Sequence, residues 1–153
     1  FRRALLNNVG VRNANAEYVM TTDVDMVFAP KFMETLMSHV RVDRLIESRT
    51  MYWKSGLVQR IFNGALNPLE DIEACKKGRI KKRTTAGGCQ CLHMDGWNKI
   101  RGFDETYIGW GSQDQDMLKR AGMAGLKVVW MGETVESLQL FHMPHPKLDI
   151  KKE

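Results

Sequence analysis

Tyr18-Val19-Met20-Thr21-Thr22-Asp23-Val24-Asp25-Met26-Val27-Phe28 sets an acidic triplet between two apolar runs. The β-branched and aromatic residues ahead of it predict a strand that ends near Asp23. Side chains alternate faces along a strand, so Asp23 and Asp25 are expected to point one way and Val24 into the core. Two like-facing carboxylates in an apolar neighbourhood repel each other and resist desolvation, and a divalent cation beside them relieves both costs. D-x-D alone is also the composition of a solvated turn, because Asp favours turns. The Met-Val-Phe that follows at once argues for the buried alternative.

Outward from this stretch the chain alternates helical and extended patterns. Residues from Phe1 to about Ala16 repeat Ala4, Leu5, Asn8, Val9, Arg12 and Ala16 near helical spacing. Pro30 opens a second helix, with Phe32, Met33, Leu36, Met37, Val40 and Leu45 as its apolar stripe and Glu34 in its first turn. From Thr50 to Thr85 the pattern is mixed, and an irregular, partly exposed excursion is expected. Gly87-Gly88 leads into a short strand, Cys89-Gln90-Cys91-Leu92-His93-Met94, then a helical turn closed at Gly102. Ser112 to Ala124 reads as a helix opened by a Ser-x-x-Gln capping box. Lys127 to Met131 and Thr134 to Phe141 read as strands. Helices alternating with strands predict an α/β sandwich, a single domain over residues 1–153, with no internal repeat.

The 153 residues are 43% hydrophobic and 27% charged, a composition that buries a core and excludes disorder. No apolar run approaches the roughly 20 residues that span a bilayer, and Phe1-Arg2-Arg3 has no signal-peptide pattern. Three cysteines, Cys75, Cys89 and Cys91, lack zinc spacing and are odd in number, so buried free thiols and a reducing, cytoplasmic compartment are expected. Much of the net charge of +5 lies in Lys76-Lys77-Gly78-Arg79-Ile80-Lys81-Lys82-Arg83, read as a basic loop that is either a solvated connection or an attractor of polyanions. No aromatic residues interleave it, which argues against nucleic acid as a partner.

Two further constellations carry chemistry. Gly109-Trp110-Gly111-Ser112-Gln113-Asp114-Gln115-Asp116 places glycines around a tryptophan just before a helix start. A carboxylate there is stabilised as an anion by the helix dipole, so Asp114 suits a general base towards a hydroxyl, or simply favours the helix end. Near the carboxyl end, His142-Met143-Pro144-His145-Pro146 holds two histidines three apart in a proline-stiffened stretch. Imidazole with carboxylate oxygen suits Mn, Zn or Fe better than Mg alone.

FRRALLNNVGVRNANAEYVMTTDVDMVFAP, the Gly87-Gly88 strand, GFDETYIGWGSQDQDM and the terminal HMPH, in that order and spacing, resemble glycosyltransferases of the GT-A fold. The pattern is similar to that of the β-1,4-galactosyltransferase and related N-acetylgalactosaminyltransferase group. The resemblance implies a nucleotide-diphospho-sugar transferase sandwich, a mixed sheet flanked by helices, that uses a UDP-sugar donor, a saccharide acceptor and Mn²⁺ or Mg²⁺. It implies that Phe1 and Arg3 contact the nucleotide, that Asp23 helps hold the donor and that Gly88 lies near the sugar. Trp110 would form a wall between donor and acceptor, and Asp114 would be the catalytic base of an inverting transfer. Asp25 and His145 would bind the metal, with His142 where the family often has a Met ligand.

The chain departs from that pattern at Gln113 and Gln115, which stand where the family has acids. It also begins at the Phe-x-Arg helix, so the expectation is the C-terminal portion of a GT-A domain, apparently without the N-terminal nucleotide-binding βα region: either another segment or a partner subunit of a homo-oligomer supplies it, or the domain is truncated and its donor affinity compromised. Two alternatives stay open: a sugar- or nucleotide-binding module that has lost catalysis, and a metal-dependent hydrolase or nuclease built on Asp23, Asp25, His142 and His145.

Overall fold

The computed structural model describes residues 2–109, 111–132 and 140–142. Helix α1 (Arg3–Arg12) is shorter than the helix expected over 1–16, because the Asn13 amide donates to the Val9 carbonyl and closes the last turn. Ala4, Asn8 and Val11 form its buried face. Strand β1 (Tyr18–Thr22) follows and stops immediately before the acidic triplet.

Here the expectation for Val24 fails. The Asp23 amide donates to the Gly88 carbonyl at 3.1 Å, a last rung beyond β1, and the chain then turns before β2 (Met26–Phe28). Val24 sits in that turn with 104% relative exposure, so it faces solvent rather than the core. Alternation holds only while a ladder persists, and the ladder ends at Asp23.

Helix α2 (Phe32–His39) begins two residues after Pro30 and buries a narrower stripe than expected, Phe32 and Leu36 with Val40 just beyond. Met33 and Met37 stand half exposed, and Leu45 belongs to the next strand. The stretch expected to be irregular is largely regular: β3 (Arg44–Trp53), α3 (Ser55–Phe62), α4 (Ile72–Lys77) and β4 (Arg79–His93). The basic run is accordingly not a loop. Lys76 and Lys77 close α4, where cations complement the helix dipole, and β4 begins at Arg79 directly after Gly78.

Helix α5 (Met94–Ile100) ends at Arg101 and Gly102, both with positive φ, and α6 (Gln113–Met123) carries Asp114 in its first turn. The capping box expected at Ser112 is absent. Ser112 takes left-handed backbone (φ 66°) and makes no side-chain cap, whereas hydroxyl capping needs extended backbone. Strand β5 (Lys127–Met131) matches its expectation, and β6 (Leu140–His142) falls within the strand expected over 134–141 and its first residue beyond. Residues 134–139 lie outside the described residues.

Among the described residues the strands form one mixed sheet in the order β1-β4-β3-β6-β2. β4 runs antiparallel to β1 and to β3, while β5 and β6 lie parallel to successive halves of β3 along its other edge. Leu45 and Leu92 pack on one face with Ala4 of α1, Trp97 of α5 and Met117 of α6. Their strand neighbours Ile46 and Cys91 pack on the other face with Phe32 and Leu36 of α2. Burying each such leucine or isoleucine contributes about 1.5–3 kcal/mol.

The sheet's irregularity places the site. Ser48 pairs with Cys89, yet Thr50 pairs with Thr85, so β4 takes four residues where β3 takes two. The excess bulges out at Ala86-Gly87-Gly88, beside the end of β1.

Candidate active site

Four elements converge where β1 ends and β4 bulges. Arg3, at the start of α1, donates through Nη1 to Asp114 Oδ2 (2.7 Å) and through Nη2 to the Gly87 carbonyl (2.9 Å). The same Nη2 lies 2.8 Å from Asp23 Oδ1. One guanidinium thus ties α6, the β4 bulge and the turn after β1, and its planar fork suits this branching contact.

Gly87 makes the approach of Asp114 possible. Its φ of 100° disfavours any side chain, and a Cβ there would lie 2.6 Å from Asp114 Cγ and closer still to Oδ2. The expectation for this glycine pair placed Gly88 near the sugar. The structure divides the pair: Gly87 receives the carboxylate, while the Gly88 carbonyl accepts from the Asp23 amide and from Thr22 Oγ1 (2.8 Å). Gly88 therefore fixes the acidic turn to the bulge.

Burial pushes the Asp114 carboxyl up from its ordinary range, with the Arg3 guanidinium opposing. One oxygen is held by Arg3 and the other, Oδ1, is buried with no hydrogen-bond partner among the described residues. Asp23 is pushed up to about 6, first by burial, against Arg3, with Asp114 and Asp25 adding repulsion.

Asp25 lies at the other end of the turn. The β2–β6 ladder pairs Met26 with His142, which brings His142 Nε2 to 3.3 Å from Asp25 Oδ2. Tyr52, the β3 register partner of His142, places its ring 4.9 Å from the imidazole and tilted by 32°. Both side chains of the Asp25–His142 pair are mostly sheltered, and their donors converge. A carboxylate oxygen and an imidazole nitrogen fit a Mn²⁺-type ion. No group of three or more potential ligands meets among the described residues.

The structure therefore brings together Arg3, Asp23 and Asp114 at the Gly87-Gly88 bulge, and pairs Asp25 with His142 at the other end of the acidic turn. Phe1, Trp110 and His145 lie outside the described residues. Gln113, at the position of a family acid, is 3% exposed and turned into the protein.

Glu47 was missed. It is fully buried on β3, accepts the Gly87 amide (2.7 Å) and Gln90 Nε2 (2.8 Å), and burial pushes its carboxyl up to about 8. Its signal in the sequence is an acid directly after Leu45-Ile46, which is conspicuous only once that run is read as a strand.

The family model described as the N-terminal domain of galactosyltransferase matches residues 71–146, a span that includes the bulge, Asp114 and both histidines. Human chondroitin sulfate synthase 3 is 25% identical over 94% of this chain and 17% of its own length. Human β-1,4-galactosyltransferase 6 is 29% identical over 84% of this chain and 28% of its own. The chain thus spans less than a third of these relatives. In fold it matches the catalytic domain of Drosophila β1,4-galactosyltransferase 7 in complex with xylobiose: TM-score 0.65 and 19% identity, over 99% of this chain and 56% of that one. A mutant of that enzyme in complex with manganese, UDP-Gal and xylobiose matches with TM-score 0.61 and 17% identity, over 95% of this chain and 52% of that one. The chain resembles galactosyltransferases in sequence and shares the mixed α/β fold of their catalytic domains.

Proposed function

We propose that this chain is part of a glycosyltransferase that moves a hexose or N-acetylhexosamine from a UDP-sugar to a saccharide acceptor in one inverting displacement. The observation that carries the reading is Asp114: a sheltered carboxylate with one oxygen held by Arg3 and the other without a hydrogen-bond partner among the described residues, on the same sheet end as the Asp25–His142 pair. Manganese, UDP-Gal and xylobiose occur together in a fold neighbour, which supports the same classes of ligand here.

Asp25 and His142 would hold the cation, with His145 as the further ligand that the family resemblance implies. A bound divalent ion supplies Lewis-acid neutralisation of the diphosphate. Arg3 and Asp23 fix the donor end of the pocket. Asp114 takes the proton from the acceptor hydroxyl as its oxygen bonds to the anomeric carbon. The bond from that carbon to the diphosphate oxygen breaks at the same time, and UDP departs with the electron pair.

The test is sugar transfer by the whole natural protein, using labelled UDP-hexoses and UDP-N-acetylhexosamines, a panel of saccharide acceptors, and Mn²⁺ or Mg²⁺ against chelator. Metal-dependent formation of a glycoside with inverted anomeric configuration is expected. UDP and Mn²⁺ binding without turnover would overturn the reading in favour of a binding module, and phosphodiester cleavage without an acceptor in favour of a hydrolase.

A further inference from the structure

Glu47 belongs to no motif, yet its two hydrogen-bond partners, Gly87 and Gln90, are both neighbours of Asp114. It shares a sheet face with Leu45, the face that α1 and α6 cover, and pairs in register with Gln90. Its two carboxyl oxygens have separate partners: Oε1 accepts the Gly87 amide and Oε2 accepts Gln90 Nε2. The residue whose amide it holds, Gly87, is also the one whose carbonyl Arg3 holds, and the Asp114 carboxylate rests against it. Gln90 in turn reaches towards the Asp114 backbone carbonyl, at 3.5 Å.

We infer that Glu47 is a positioning residue for the transfer reaction: by clamping the bulge at the Gly87 amide, it sets where the Asp114 carboxylate lies relative to Arg3 and the acceptor hydroxyl. A bulge is a locally unpaired piece of strand and would otherwise move. A carboxyl fully removed from water is also a costly way to fill a sheet face, so an apolar side chain would serve packing better. What an apolar side chain cannot do is accept the Gly87 amide. The inference rests on the transfer reading above, since it assigns Glu47 a task within that reaction.

Three substitutions in the whole protein test it. Glu47→Met removes both acceptors at similar volume and is expected to lower kcat about 10- to 100-fold, the cost of a base displaced by about 1 Å. The KM for the UDP-sugar and the affinity for Mn²⁺ stay near those of the parent. Glu47→Gln keeps an acceptor for the Gly87 amide and recovers most of the rate. Glu47→Asp draws the carboxyl back by one methylene and loses rate as Met does, which keeps the test open where Glu47→Met does not fold. A readout independent of turnover is the carboxyl-carbon NMR titration of Asp114, whose midpoint moves in the Met and Asp variants and stays in the Gln variant. Parental kcat in a folded Met or Asp variant, or an unmoved Asp114 titration in both, overturns the positioning role. Should the parent itself transfer no sugar, the functional reading fails alone and the Asp114 titration still decides the role of Glu47.

Discussion

Asp25 faces a histidine and Asp114 faces an arginine. Both carboxylates are mostly sheltered and lie at the same end of the sheet, one at the β2–β6 edge and one over the β4 bulge. Their partners direct them to different chemistry. An imidazole offers a lone pair that complements a metal-bound carboxylate, so the Asp25 end can take in a cation. A guanidinium is permanently charged, repels a second cation, and leaves Asp114 with one committed oxygen and one that has no hydrogen-bond partner among the described residues. Asp23 stands between them and is drawn to the arginine side at 2.8 Å. Two groups of one chemical type thus acquire separate environments, and the proposed mechanism gives them separate roles.

The most direct way to break this contrast is Asp114→Asn, which keeps the shape and removes the basic oxygen. Transfer is expected to fall about 10²- to 10⁴-fold while UDP-sugar and Mn²⁺ still bind, as read by steady-state kinetics beside calorimetry. Unchanged turnover would remove Asp114 from the mechanism. Asp25→Ala or His142→Ala acts at the opposite end, and Mn²⁺ affinity in the presence of UDP is expected to weaken at least about tenfold. Calorimetry that shows parental affinity in both variants would dissolve the metal side of the comparison.

Arg3→Met sharpens the contrast by making the two ends more alike. Arg3 is what opposes the burial that lifts Asp23 and Asp114. Without it both carboxyls rise further, so the acid limb of the pH–rate profile should move to higher pH, by about one unit. A limb that stays put would mean that neither carboxyl governs it.

The remaining effect concerns stability. Glu47 keeps its proton up to about pH 8 in the fold, whereas the unfolded chain releases it in the ordinary carboxyl range. Between those values the unfolded chain binds fewer protons, so this group lowers stability as pH rises, by about 1.4 kcal/mol per pH unit. Glu47→Gln removes that slope. Urea unfolding at pH 5, 6 and 7 should show the variant gaining on the parent with each step, and parallel slopes would contradict a buried neutral carboxyl.

Much of this architecture was legible from residues 18–28, because a β-rich run that ends in acids carries its own direction and stopping point. Asp114 was legible too, since a helix start after clustered glycines is a local feature. Arg3 came only through family resemblance: nothing within Phe1-Arg2-Arg3 reveals that its partners lie 20, 84 and 111 residues away. Glu47 and the distinction between Gly87 and Gly88 depend on a register shift between β3 and β4, which is a property of two strands rather than of either one. The regular elements within 50–85 escaped for a related reason. Short helices such as α4 are held by tertiary packing, with Cys75 fully buried against the core, rather than by periodicity of their own.

The exposed Val24 gives the molecule an experimental handle. The native thiols Cys75, Cys89 and Cys91 are all buried, and those of Cys89 and Cys91 are pushed up to about 12 and about 11 by burial, so they resist alkylation. A cysteine substituted for Val24 would be the one readily labelled thiol, on a side chain that packs against nothing and sits between Asp23 and Asp25. On the proposed reading, a fluorophore attached there would report donor and cation arrival without any catalytic turnover.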